Sequence, residues 1–168
     1  APAFSHHTDL PQWHQDGADI TLVVGELDGR RSPAQVFSPL VGADIVAKDA
    51  CSLTLPLSAD FELGLCINEG SAEVDGETLQ VGELYYLGCG RDHLTLTLSA
   101  GSRVMLLGGE PLGQPVLLWW NFVGRDQARL ETAIADWNDW PNKRFGDVEA
   151  YHGKPLKAPS LDPSVRLK

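Results

Sequence analysis

The sequence is poor in the residues that carry most familiar chemistry. It holds three cysteines, Cys51, Cys66 and Cys89, an odd number with no C-x-x-C pair. That argues against a disulfide framework and a cysteine zinc site, and it fits a reducing, cytoplasmic setting. Cys66 lies in an apolar run, where a buried and inert thiol is expected. Histidine is scarce as well, and three of the five, His6, His7 and His14, precede the first clear strand signal. No apolar run approaches the length of a membrane span, and the opening residues APAFSHH offer neither the basic nor the apolar region of a secretory signal. Basic residues are outnumbered, 13 to 23, for a formal charge of −10, and the one local basic excess is Lys154, Lys157, Arg166 and Lys168. Such a chain repels phosphate backbones, so neither nucleic acid nor membrane is an expected partner. Also missing are G-x-S-x-G, a phosphate-cradling glycine loop and H-E-x-x-H. The chain does not begin with Met, which is the expectation for a piece of something longer.

What is present is a rhythm of short strands. The 168 residues, 43% apolar and 21% charged, suffice for one domain with a core. SLTLPL (52–57) and LTLTLS (94–99) alternate apolar and polar residues, the mark of half-buried strands. ITLVVGEL (20–27) ends at Asp28-Gly29, and SAEV (71–74) at Asp75-Gly76, both strong hairpin dipeptides. With FELGLCI, ELYYL, RVMLLGG and VLLWWNFV, about ten strands are predicted, the pattern of an all-β sandwich or barrel. Helical periodicity occurs once, over 125–137, with Leu130, Ala133, Ile134 and Trp137 on one stripe. Asp126 can cap this helix and pair with Arg129, while Pro141 stops it and Trp137 and Trp140 anchor it. We read 1–19 as an N-terminal segment or linker and 20–124 as the barrel. Residues 125–140 are read as a helix packed on that barrel and 141–168 as a C-terminal strap or tail, all within one domain.

The most informative stretch runs from Gly82 to Thr97. It resembles the second signature of the cupin superfamily, G-x5-P-x-G-x2-H-x3-N, with Gly82, Gly90 and His93 in place, Gly88 at the proline and Thr97 at the asparagine. Asn68 to Gly76 resembles the hairpin that joins the two cupin signatures. Three more stretches narrow the likeness: 25–39; Gly108 to Val123, with its Trp119-Trp120 pair; and 125–146, ending in Arg144-Phe145-Gly146. Together they resemble the C-terminal half of bicupin pirins. The resemblance implies a double-stranded β-helix, the cupin jelly-roll barrel, with one C-terminal amphipathic α-helix.

In metal cupins three histidines and a glutamate converge on iron or a similar ion inside the barrel. The first signature should supply H-x-H and a Glu, but Pro56 to Leu63 contains no histidine. The Glu position falls near Leu63, and Glu62 belongs to the opposite face of a regular strand. His93 is then only a vestigial ligand position, and neither a catalytic residue nor a metal ligand is assigned. The resemblance implies iron only in a separate N-terminal cupin domain, none in this chain. Two functions follow. One is a metal-free structural and interaction module whose partner is that N-terminal cupin domain, or a second copy through the same face. The alternative is a small-molecule-binding cupin, or part of a quercetin 2,3-dioxygenase-type enzyme, with Glu83, Tyr85, Tyr86 and His93 as pocket candidates. Tyr85 and Tyr86, being adjacent on a strand, cannot both point inward. Cys89 beside His93 invites a Cys–His nucleophile, although a turn cysteine is the simpler reading.

Overall fold

The computed structural model describes residues 4–139, 144–146, 150–153 and 155–161. Among these residues it has thirteen strands and one helix. Two compact units emerge, one spanning Ser5–Pro111 and the other combining Ala1–Phe4 with Leu112–Lys168.

In the first unit, β1 (Gln12–Gln15), β2 (Ala18–Leu27), β4 (Leu40–Ala47), β11 (Ser102–Gly109), β6 (Glu62–Glu69) and β9 (Leu84–Gly88) lie side by side in that order, with β3 (Arg30–Arg31) added to β2. A second sheet runs β5 (Cys51–Pro56), β10 (His93–Leu98), β7 (Ser71–Val74), β8 (Glu77–Gln80). Their pairings are antiparallel. Alternation places one face of each strand in a shared core, with Leu53 and Leu55 from β5, Leu63 and Leu65 from β6, and Leu94, Leu96 and Leu98 from β10 all at most 2% exposed. Each such side chain contributes about 1.5–3 kcal/mol by leaving water. This is the all-β jelly roll that the alternation and the cupin-like signature predict.

Turn chemistry sets the register. Asp16-Gly17, Asp28-Gly29 and Asp75-Gly76 each form the two-residue loop of a hairpin, with positive φ at both positions. Type I′ turns require this, and the Asp-Gly pair tolerates it. The first of these turns begins the sheet inside the segment read as a linker, so the fold starts at Gln12 rather than at residue 20. Strand β2 changes phase at a bulge, because Leu22 opposes Ala43 while Val24 opposes Gly42, leaving Val23 over. Without that extra residue Glu26 would face inward; with it, Leu27 does, at 6% exposure. Gly25 follows at φ +79°, where a Cβ would meet the Leu40 carbonyl oxygen, so a larger residue is barred.

The second unit has its own core. β12 (Leu117–Trp119) and β13 (Phe122–Gly124) pair only with each other. α1 (Gln127–Asn138) buries Leu130, Ala133 and Ile134 beside Phe122, with Trp119, Trp120, Trp137 and Phe145 packed around them. The stripe read from the sequence is the buried one. Asp126 caps α1 by accepting the Arg129 amide at 2.9 Å, and the Arg129 guanidinium lies 3.4 Å from its carboxylate. The sequence reading carried the barrel to 124. VLLWWNFV instead forms a hairpin of the second unit, and the β-structure of the first unit ends at Gly109. Trp140, Pro141 and half of the expected tail strap lie outside the described residues.

Candidate functional site

The barrel interior is the natural place to look for a metal, and it is filled with aliphatic side chains. Leu63, at the position of the expected glutamate, faces inward and is 2% exposed. Glu62 faces out and accepts a 2.6 Å hydrogen bond from the Tyr86 hydroxyl. His93 opens β10 on its outer face, in line with Thr95 and Thr97, while Leu94, Leu96 and Leu98 fill the inner face. The imidazole Nδ1 lies 2.5 Å from an Asp92 carboxylate oxygen at an exposed position. His93 holds the Asp92 carboxyl below its usual pKa, first through this hydrogen bond and then through charge. Among the described residues no three His, Cys, Asp or Glu side chains gather in a way that could hold a metal ion. A cupin metal needs imidazole and carboxylate donors converging in the barrel, and the leucines there do not fit one.

The four pocket candidates from the sequence do not form a common cavity. Tyr85 packs partly buried against the barrel core, and Tyr86 is 65% exposed on the opposite face. Strand alternation requires that split. Glu62 pushes the Tyr86 hydroxyl above its ordinary pKa, mainly by accepting its proton in the hydrogen bond. Glu83 accepts the Gln80 amide at 2.7 Å and so closes the turn between β8 and β9. His93 sits on the other sheet. Cys89 is exposed and free, in the turn after β9. Cys66 is half-buried on the outer face of the larger sheet, not in the core, because Leu65 and Ile67 take the inward positions of β6. The N-terminal histidines are dispersed, with His14 bonded to Asp19 at 2.8 Å and His7 to Ser5.

Two features that the sequence reading missed are more prominent. At one end of the first unit, two adjoining clefts of about 500 and 430 Å³ share Glu26 and Phe61. One is walled by Leu57 and Leu63, the other by Val36, Phe37 and Leu40. The second feature is the outer face of the larger sheet. Backbone register aligns Val24, Gly42, Leu107, Gly64 and Tyr86 in one row across five strands. The neighbouring row is Thr21, Asp44, Met105, Cys66 and Leu84. Val24 and Leu107 lean over Gly42, and Leu84 leans over Gly64. Leu84 and Leu107 are 68% and 43% exposed. The glycines lower the floor of a broad apolar surface, edged by the Arg103–Asp44 pair, whose two bonds measure 2.8 and 3.0 Å. Only cross-strand register reveals this row, since its members are scattered between positions 24 and 107.

Residues 42–146 match the family model described as the pirin C-terminal cupin domain. A Pseudomonas aeruginosa protein named "Putative quercetin 2,3-dioxygenase" is 47% identical over 161 residues, 96% of this chain and 51% of that protein. A pirin-like protein of Caulobacter vibrioides is 36% identical over 140 residues, 81% of the chain and 47% of the relative. The crystal structure of a quercetin 2,3-dioxygenase from Acinetobacter baumannii superposes with a TM-score of 0.87 at 38% identity, covering 98% of this chain and 55% of that one. The chain thus spans about half the length of the curated relatives it matches.

Proposed function

Since the chain belongs to the pirin family, as its C-terminal cupin domain, we propose that it is a metal-free structural and interaction module for a metal-bearing N-terminal cupin domain. The observation that supports this reading is the interior of the barrel, where Leu63 stands at the glutamate position and leucines from β5, β6 and β10 face inward in place of metal donors. The relatives are about twice as long, which leaves room in them for a second barrel. The outer face of the larger sheet is the surface suited to that barrel. Its exposed leucines and glycine-lowered row favour burial against a flat apolar partner. In this reading iron resides in the N-terminal cupin, and the whole acts in the cytoplasm as a quercetin 2,3-dioxygenase-type protein.

Two assays on the purified chain test the proposal. It should give no turnover of a flavonol; substantial turnover would assign the reaction to this barrel instead. It should also self-associate in sedimentation velocity through the uncovered face, and Leu107→Glu should return it to monomer. An unchanged distribution in that variant would remove the face from the account. The clefts around Phe61 favour a second reading, a small-molecule-binding cupin. Saturable binding of a flavonol without turnover, lost in Phe61→Ala, would support it.

A further inference from the structure

The second unit carries a cleft that neither the barrel nor its proposed pairing uses. It lies between the β12–β13 hairpin and α1 and measures about 780 Å³, within the range of sites that hold a small organic ligand. Val116, Phe122 and Phe145 supply apolar surface, and Arg125, Arg129 and Arg144 line the same space. The charge is unusual for its setting. Ser5–Pro111 has five basic and sixteen acidic residues, a formal −11, whereas the remainder of the chain has eight basic and seven acidic, +1. Three of the chain's eight arginines therefore meet at one cleft of the less acidic unit.

Two of the three are paired. Arg129 faces the Asp126 carboxylate at 3.4 Å, and Arg144 pairs with Asp136 at 2.7 Å and lies over the Phe145 ring. Both are surface pairs, worth little against a better partner. Arg125 also lines the cleft and has no hydrogen bond or ion pair among the described residues. It immediately precedes Asp126, the cap of α1, so the positive end of the helix dipole acts on the same side. A guanidinium binds a carboxylate through two parallel hydrogen bonds, and the neighbouring aromatic and aliphatic surface suits a flat hydrocarbon body.

We propose that this cleft binds a small organic anion, a carboxylate carried on an aromatic or apolar body, with Arg125 as the principal contact. The proposal is independent of whether the barrel serves as a scaffold. Calorimetric titration of the whole chain with 2-naphthoate and with its neutral isostere 2-naphthamide tests it. One naphthoate should bind per chain, about tenfold or more tighter than the amide, as expected of a charge-assisted contact. NMR shifts should centre on residues 121–133 and 144–145. Arg125→Gln should weaken naphthoate by a similar factor while leaving the melting temperature and amide affinity unchanged. Equal affinity for the two probes, an undiminished Arg125→Gln, shifts centred elsewhere or no binding at millimolar concentration would each overturn it. So would inorganic phosphate displacing naphthoate as well as unlabelled naphthoate does, because the site would then read charge alone. The amide comparison is made on the unaltered chain and does not depend on any variant folding.

Discussion

The barrel and the hairpin–helix unit solve the same problem with different residues. The barrel's fully buried core is Leu, Ile, Val and Ala without a single tryptophan or phenylalanine. The second unit depends on Phe122, Trp119, Trp120, Trp137 and Phe145, and the rings of Phe122, Trp120, Trp137 and Phe145 meet edge-on or tilted at 5.3–6.3 Å. A pair of packed sheets repeats short aliphatic residues efficiently, because alternate positions of most of its strands contribute. A hairpin and one helix have few inward positions, so each must bury more area, and aromatic side chains do that. The charge divides along the same line, −11 in Ser5–Pro111 against +1 in the remainder. A strongly acidic, filled barrel suits a scaffold, and the less acidic unit is where an anion can approach.

Deep cavities should separate the two cores most clearly. Leu96→Ala, at full burial, should cost the barrel about 3 kcal/mol in urea unfolding followed by circular dichroism. Tryptophan emission, which arises mainly from the second unit, should keep its own midpoint; a common shift of both signals would show one cooperative core. Next in size, Trp119→Ala and Trp120→Ala should each cost about 2 kcal/mol, below the fully buried range because both rings are half-buried. Trp119 also loses its 2.9 Å bond to the Pro159 carbonyl. Full stability in both variants would break the claim that these rings are architectural. Removing the cap by Asp126→Ala should cost about 1 kcal/mol, seen in the second unit alone.

The smallest effect is electrostatic and belongs to the barrel. Arg91 bonds both carboxylate oxygens of Asp75 and holds its pKa below the ordinary 3.8. A carboxyl whose folded pKa is depressed contributes stability above its unfolded value and loses it as pH falls through the folded one. Acid titration below about pH 4 should therefore weaken the wild type slightly more than Asp75→Asn; identical acid limbs would show that this exposed pair contributes nothing measurable.

Much of this architecture was legible because its causes are local. Asp28-Gly29 and Asp75-Gly76 announce their hairpins, SLTLPL and LTLTLS announce a buried face, and Leu130, Ala133, Ile134 and Trp137 announce the helix stripe. Asp16-Gly17 carried the same signal in a segment too polar to attract notice. The β12–β13 hairpin was hidden because its loop, Trp120-Asn121, places a tryptophan at φ +52°, where Asn, Asp or Gly would mark a turn. VLLWWNFV therefore reads as one strand of the barrel. Glu83, Tyr85, Tyr86 and His93 are neighbours in sequence, yet alternation and the step from one sheet to the other disperse them. The glycine-floored row and the arginine cleft are legible only after register and packing bring distant residues together.

The central claim is that this barrel presents leucines where a metal cupin presents imidazole and carboxylate donors. Its most direct test is metal stoichiometry in the purified chain after incubation with iron(II), manganese, nickel or zinc and extensive dialysis. The account predicts well under one ion per chain for every metal. One tightly retained ion per chain would contradict it.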